Sequence, residues 1–306
     1  MSGNAAGAVG SHDHLDRSAV LLVVLLCATW GFYQVSVKVA VEGISPVLQA
    51  GLRSAGSCVL LMLWARARRI PLFDRDGSLW WGLGAGLLFA LEFMLIYWGL
   101  SYTYASRSVL FVYMAPFVVA LGAHWLIPGE RMTLAKAAGL AAAFAGIALA
   151  FADGLRLAEG KEWIGDLMCL GGAIAWGATT VLIKGSPLVQ ARAEKILFYQ
   201  LAVSALALPP LSLAMGEPGI VAATPLVLGA LAFQIVVIAF ASYLAWFWLM
   251  RSYPAAHLSA FTFLTPVFAV LAGIVLLGEP LTPAVVAALA LVALGIWLVN
   301  RPRRRG

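Results

Sequence analysis

WGFYQVSVK (residues 30–38) and WGATTVLIK (residues 176–184) share one pattern: a Trp-Gly pair, six residues, then a lysine, repeated 146 positions apart. Working outward, Pro116 recurs as Pro266, Gly129-Glu130 as Gly278-Glu279, and Gly146-Ile147 as Gly295-Ile296, at offsets of 150, 149 and 149. Anchors that keep their order and drift so little mark an internal duplication. Each lies in or beside a stretch too apolar for a soluble protein. A duplicated membrane bundle is a common transporter design.

Composition sets the solvent. Of 306 residues, 62% are apolar and 11% charged, with mean hydropathy +0.94, whereas soluble chains carry about 25% charge. Lipid is therefore the expected surroundings. Cys27, Cys58 and Cys169 all fall in apolar segments without metal-ligand spacing, so they read as small hydrophobes, and no metal or cofactor is expected. The net charge of +6 comes from runs at segment ends, Arg66, Arg68, Arg69 and Arg75, then Arg301 and Arg303 to Arg305. No aromatic residues interleave with them as in a nucleic-acid groove, so the runs read as topology signals and lipid contacts, with no nucleic-acid partner.

A bilayer core of about 30 Å needs roughly 20 apolar residues per helix. Ten such stretches are marked: 18–41, 46–65, 78–100, 105–126, 133–152, 164–185, 195–214, 224–249, 255–277 and 283–300. The first runs on past Trp30 to Val41, too long for a cleaved signal. The expected organisation is a flexible tail (1–17), a first five-helix repeat (18–152), a linker (153–163), a second repeat (164–300) and a basic tail (301–306). With the N-terminus inside, 14 of 20 Lys and Arg fall in cytoplasmic tails and loops, against Arg107, Arg156 and Lys161 outside. That bias predicts both termini in the cytoplasm.

Five helices per repeat is an odd number, so the second copy enters the membrane from the opposite side. The predicted fold class is all-α: ten transmembrane helices in two inverted five-helix repeats. Near-symmetric inverted halves can exchange conformations, which opens a site between them to either face in turn.

The anchors resemble the drug/metabolite transporter superfamily, specifically its ten-helix EamA-type permeases. The matching features are Trp30-Gly31 and Trp176-Gly177, Arg53 in the second helix, and the turn Tyr102-Thr103-Tyr104-Ala105-Ser106. Pro116, Pro266 and the two Gly-Glu loops ahead of Thr133 and Thr282 complete the set. The resemblance covers residues 18 to 300, and within the family it extends to the aromatic amino-acid exporters of the YddG type. It implies a proton- or gradient-linked exporter of amino acids and related metabolites; separately, the basic architecture with short loops fits a bacterial inner membrane, and a monomer is expected. Sugar or nucleotide-sugar carriers and multidrug or quaternary-amine exporters of the same superfamily are the alternatives.

Candidate site residues follow from helical spacing. Trp30, Gln34 and Lys38 stack on one helix face, as do Trp176, Thr180 and Lys184 in the second copy. They line a central cavity, or the lysines snorkel to headgroups and the tryptophans pack. Glu92 is the only acidic residue well inside a span, and such a carboxylate is costly enough to suggest function. It can hold a substrate ammonium or a coupling proton, or serve as a structural partner to Arg53 or to a lysine on a neighbouring helix. Its counterpart is Ser242. Among the aromatics of the third, fourth and eighth spans, Tyr113 and Trp246 are assigned to the cavity, where stacking and cation–π attraction suit flat cargo. Pro116 and Pro266 each remove a helix hydrogen bond and are candidate hinges; Thr262, one turn before the second, reaches the centre. Arg53 is read as structural, paired with carbonyls or snorkelling, and Glu130 and Glu279 as braces of helix hairpins.

A membrane enzyme would need converging acids, a zinc motif or a nucleophile set, and the spans offer none. A retinal-type light sensor needs a lysine midway along the last helix, where residues 283–300 have none.

Overall fold

The computed structural model describes residues 15–99, 102–103, 105–150, 160–277 and 283–301, with Gln34 and Lys38 described by backbone alone. Glu279 and Thr282 lie outside the described residues. The first repeat contains α1 (Arg17–Val41), α2 (Pro46–Ala67), α3 (Leu79–Gly99), α4 (Ala105–Val112), α5 (Ala115–Leu126) and α6 (Leu134–Ala150). The second contains α7 (Glu162–Gly185), α8 (Ala193–Ala214), α9 (Pro225–Phe233), α10 (Tyr243–Ser252), α11 (Ala255–Phe261), α12 (Leu264–Leu277) and α13 (Pro283–Asn300). Because α4–α5, α9–α10 and α11–α12 each form one spanning rod, these make ten apolar crossings. Among the described residues, six segments are long and apolar enough to cross a membrane, and four shorter apolar helices complete the set. The fold is all-helical, as the apolar runs predict.

Ends of helices follow local chemistry. Asp16 accepts from the Ala19 N–H and caps α1. Pro46 and Pro225 open α2 and α9, where their missing N–H costs nothing. Glu217 accepts from the N–H groups of Val47 and Leu48 at 3.1 Å, and Glu130 from those of Ala255 and Ala256 at 2.9 and 3.2 Å. Both carboxylates thus sit on a helix N-terminus, where the dipole favours negative charge. Glu130 braces a helix end, in line with its sequence reading.

Antiparallel pairing of equivalent helices gives the repeats their inverted sense. Gly139 of α6 abuts Gly295 of α13, while Gly146 abuts Ala288, so one chain ascends as the other descends. The start of α2 lies at the far end of α8, joined there by Glu217. The Trp-Gly glycines have a matching purpose. A Cβ on Gly31 would stand 3.0–3.1 Å from Phe268, Ala269 and Thr265, and one on Gly177 would stand 2.5 Å from Val118. In each copy, then, the first helix presses its backbone against the fourth crossing of the other copy, as small residues allow in lipid.

A second tie between the halves lies outside the spans. Lys195 at the start of α8 pairs with Asp74 at 2.6 Å and Asp76 at 2.9 Å, in the loop between α2 and α3. Burial pushes the Asp76 carboxyl upward, but hydrogen bonds from Ser78 and Lys195 outweigh it and carry the group down from 3.8 to about 2. A carboxyl lowered on folding stabilises the native state at neutral pH, and the contribution fades as pH falls from 3.8 towards about 2. The melting-temperature advantage of wild type over Asp76→Asn is therefore expected to be present near pH ~6 and to shrink below about pH 4. A gap that stays constant across that range would show that Asp76 carries none of it.

Candidate functional site

The fourth crossing of each repeat is broken at its middle. Helix α4 ends at Val112 and α5 resumes at Ala115; α11 ends at Phe261 and α12 resumes at Leu264. Prolines cause both breaks, since Pro116 cannot donate to Val112 and Pro266 cannot donate to Thr262. The chain crosses each gap by tight turns: Met114 N–H to Phe111 O at 3.1 Å, and Thr262 N–H to Ser259 O at 3.1 Å. Tyr113 and Thr262 are the first residues of the two gaps, 149 apart, and are therefore repeat counterparts. Discontinuous helices in matching positions of inverted repeats are the usual setting of a transporter's midplane site.

Around the first gap, Tyr113 meets Trp176 edge-on at 6.3 Å and Phe263 at 6.3 Å. Thr262 is fully buried; its hydroxyl donates to the Ser259 carbonyl at 2.7 Å, and its own carbonyl, which Pro266 cannot serve, accepts from the Thr265 N–H at 3.0 Å. Thr180 donates to the Trp176 carbonyl at 3.2 Å.

The second cluster gathers around the eighth crossing. Trp30 Nε1 donates to Ser242 Oγ at 2.8 Å, and its ring meets Trp246 at 5.3 Å and Tyr243 at 6.3 Å, both edge-on. The backbone there is a π-helix, Gln234–Ser242, set between α9 and α10. Its wider turn spreads the carbonyls, and those of Ile235 and Ile238 accept from Ser57 at 2.9 Å and Ser242 at 2.6 Å. Such segments concentrate at functional sites. Buried Gln234 also accepts from Gln49 at 2.9 Å and donates to the Ser36 carbonyl at 3.0 Å.

Beside it lies a group that sequence reasoning set aside. Arg53 is fully buried, not snorkelling. Its guanidinium stacks on Phe93 at 4.0 Å and lies 5.8–5.9 Å from the rings of Tyr33 and Tyr243. One nitrogen, Nη1, donates to Tyr33 Oη at 2.6 Å, and Tyr33 and Tyr97 share a hydroxyl contact of 2.5 Å. Glu92 is buried on the same helix as Phe93 and within electrostatic reach of Arg53, but makes no ion pair with a described residue. A basic residue two turns into an apolar helix looks the same whether it turns outward or inward; only the rings of Tyr33, Phe93 and Tyr243 decide it.

One sequence candidate falls elsewhere. Lys184 donates to the carbonyls of Met250 and Tyr253 at 2.9 and 2.8 Å, closing the end of α10. The side chains of Gln34 and Lys38 lie outside the described residues. Arg107, counted as an outer-loop residue, sits in α4 and pairs with buried Asp166 of α7, which also accepts from Thr103 at 2.7 Å. A concavity of about 400 Å³, lined by Phe261, Leu264 and residues of α13, opens beside the second break and is mostly apolar. The buried polar and aromatic clusters are the better site because they hold the groups able to orient a solute.

The profile of the EamA-like transporter family matches residues 17–152 and again residues 163–301. The chain belongs to this family. This EamA-like transporter is 30% identical over 287 residues to the "Uncharacterized transporter YvbV" of Bacillus subtilis, covering 93% of this chain and 92% of the relative. It is 27% identical over 298 residues to the "Probable terminal-alkyne amino-acid exporter" of Streptantibioticus cattleyicolor, covering 92% and 93%. A solved crystal structure 20% identical in sequence superposes with a TM-score of 0.78 over 93% of this chain and 97% of its own. It supports the fold of the EamA-like transporter and no more.

Proposed function

We propose that this transporter exports amino acids, aromatic or otherwise apolar, and related metabolites by alternating access at a site between the repeats. The observation that carries the reading is the pair of mid-helix breaks at Tyr113 and Thr262, each flanked by aromatic rings from the other repeat. The two breaks lie on equivalent crossings of opposite sense, so one half can adopt the conformation of the other. Pro116 and Pro266 are the hinges of that exchange. Trp30, Ser242 and Trp246 form one wall of the site, and Tyr113 and Trp176 the other; an amino-acid exporter among the relatives supports the cargo class. Gln34, Lys38 and Thr180 remain assigned to the same helix faces. Glu92 takes the substrate ammonium or a coupling proton. The basic bias of the loops supports both termini in the cytoplasm, and the protein is read as a monomer of a bacterial inner membrane.

Counterflow of labelled solutes in vesicles containing the purified protein tests this. Phenylalanine and tryptophan are expected to exchange faster than glycine or glucose. An absence of amino-acid exchange under every imposed gradient, with another solute moving, would replace the reading. Trp246→Ala is expected to reduce aromatic flux several-fold, about 1 kcal/mol of lost ring contact, and to spare small cargo. Equal losses for both would remove stacking from the account.

A further inference from the structure

The guanidinium of Arg53 is occupied on one face and at one nitrogen. Phe93 covers one face at 4.0 Å, Tyr33 and Tyr243 crowd the periphery, and Nη1 is committed to Tyr33 Oη. Nε and Nη2 are buried and have no hydrogen-bond partner among the described residues. Tyr243 lies within weak hydrogen-bonding reach of the cation, but no bond of ordinary geometry reaches Nε or Nη2. Those two nitrogens form the side-on edge of an arginine, from which parallel N–H groups project. That edge matches the two oxygens of a carboxylate.

A buried arginine with no ion pair among the described residues is expensive, and inside a membrane such a residue marks a functional site by default. The second repeat supports this by contrast. Gln200 stands 147 residues after Arg53, within the 146-to-150 drift of the duplication, with Ser57 and Ser204 one turn beyond each. Gln200 and Ser204 are also buried with side-chain atoms lacking described partners. Both copies therefore carry a buried polar group at this place on the second helix. Only the first copy gives it a charge.

We propose that the Nε/Nη2 edge of Arg53 is a carboxylate-binding fork, walled by Tyr33, Phe93, Tyr97 and Tyr243, that holds the acid group of the transported solute. Glu92, on α3 with Phe93 and Tyr97, then meets the opposite end of a zwitterion, and the ring wall holds its apolar body. The fork rests on the amino-acid reading above only for the identity of the cargo; recognition of a planar carboxylate needs no ammonium.

Calorimetry on the purified full-length protein in detergent separates the two. The probes are 3-phenylpropionate and 3-phenylpropionamide, which share size and ring but differ in the oxyanion. Wild type is expected to bind the acid about tenfold or more tightly than the amide, the scale of a charge-assisted pair of hydrogen bonds. Arg53→Lys keeps the charge without the two-pronged edge and is expected to lose most of that preference; Arg53→Gln is expected to lose all of it. Equal binding of acid and amide by wild type, or a preference that survives both substitutions, overturns the fork. If the variants fold poorly, the wild-type comparison alone decides. Failure of amino-acid counterflow with the acid preference intact would overturn the cargo and leave the fork standing.

Discussion

Gly295→Ala is expected to strip the protein of most of its folded yield, while Gly229→Ala makes it slightly more stable. Both substitutions add one methyl group and the same helical preference, worth about 1 kcal/mol for alanine over glycine. Their surroundings decide the sign. Beside Gly229 nothing lies within 4 Å, so only the propensity gain remains. A Cβ on Gly295 would stand 2.4 Å from the Gly139 carbonyl oxygen and 2.6 Å from Ala143 N. Backbone cannot rotate aside as a long side chain can, so α6 and α13 must separate. Overpacking a core costs about 1–3 kcal/mol where side chains yield, and this site lies at or beyond the upper end. Lipid supplies no hydrophobic force to pull the helices together again, since close packing itself holds them. Thermal unfolding of the monodisperse, detergent-purified proteins checks the pair. A Gly295→Ala protein that melts with wild type would mean the two helices pack less closely than their glycines indicate.

The same contact shows why the architecture was legible in the sequence. Apolar runs locate crossings because a buried backbone in lipid must satisfy itself as helix, which ties length to bilayer thickness. Pro116 and Pro266 locate the breaks because proline removes a donor whatever the surroundings. Both signals are local. Arg53 was not legible, because its fate depends on rings contributed by α1, α3 and α10. Lys184 closes the end of α10, 66 and 69 residues further along the chain, and no spacing rule links them. The π-helix is invisible for another reason: QIVVIAFAS (residues 234–242) has no proline or glycine to widen its turn. Its cause is tertiary, in the bonds from Gln49 and Ser57 to Gln234 and Ile235. The third crossing, its counterpart, runs as regular α-helix through Glu92. One copy thus holds a carboxylate on an even helix, and the other a serine on a widened one.

That asymmetry makes Glu92→Gln the sharpest probe of the mechanism. Glutamine has nearly the shape of the glutamate it replaces and removes only the charge and the titratable proton. A carboxylate kept for structure would have a committed partner, and its loss would leave that partner stranded at a cost of about 3–5 kcal/mol. Glu92 makes no ion pair with a described residue, and Arg53, a cation within its electrostatic reach, keeps its bond to Tyr33 and its stack on Phe93 when the carboxylate becomes an amide. The variant is therefore expected to melt within a few degrees of wild type, yet to lose counterflow of amino acids by about tenfold or more, a transition-state penalty of about 1.4 kcal/mol. The shape of the loss assigns the role. If Glu92 holds the ammonium, the variant needs far more amino acid for half-maximal flux, while flux of an acid lacking the amine stays as in wild type. If Glu92 carries a coupling proton, exchange at equal concentrations survives and only gradient-driven accumulation disappears. Flux unchanged at every pH would return Glu92 to packing and leave Arg53 as the proposed charged contact of the solute.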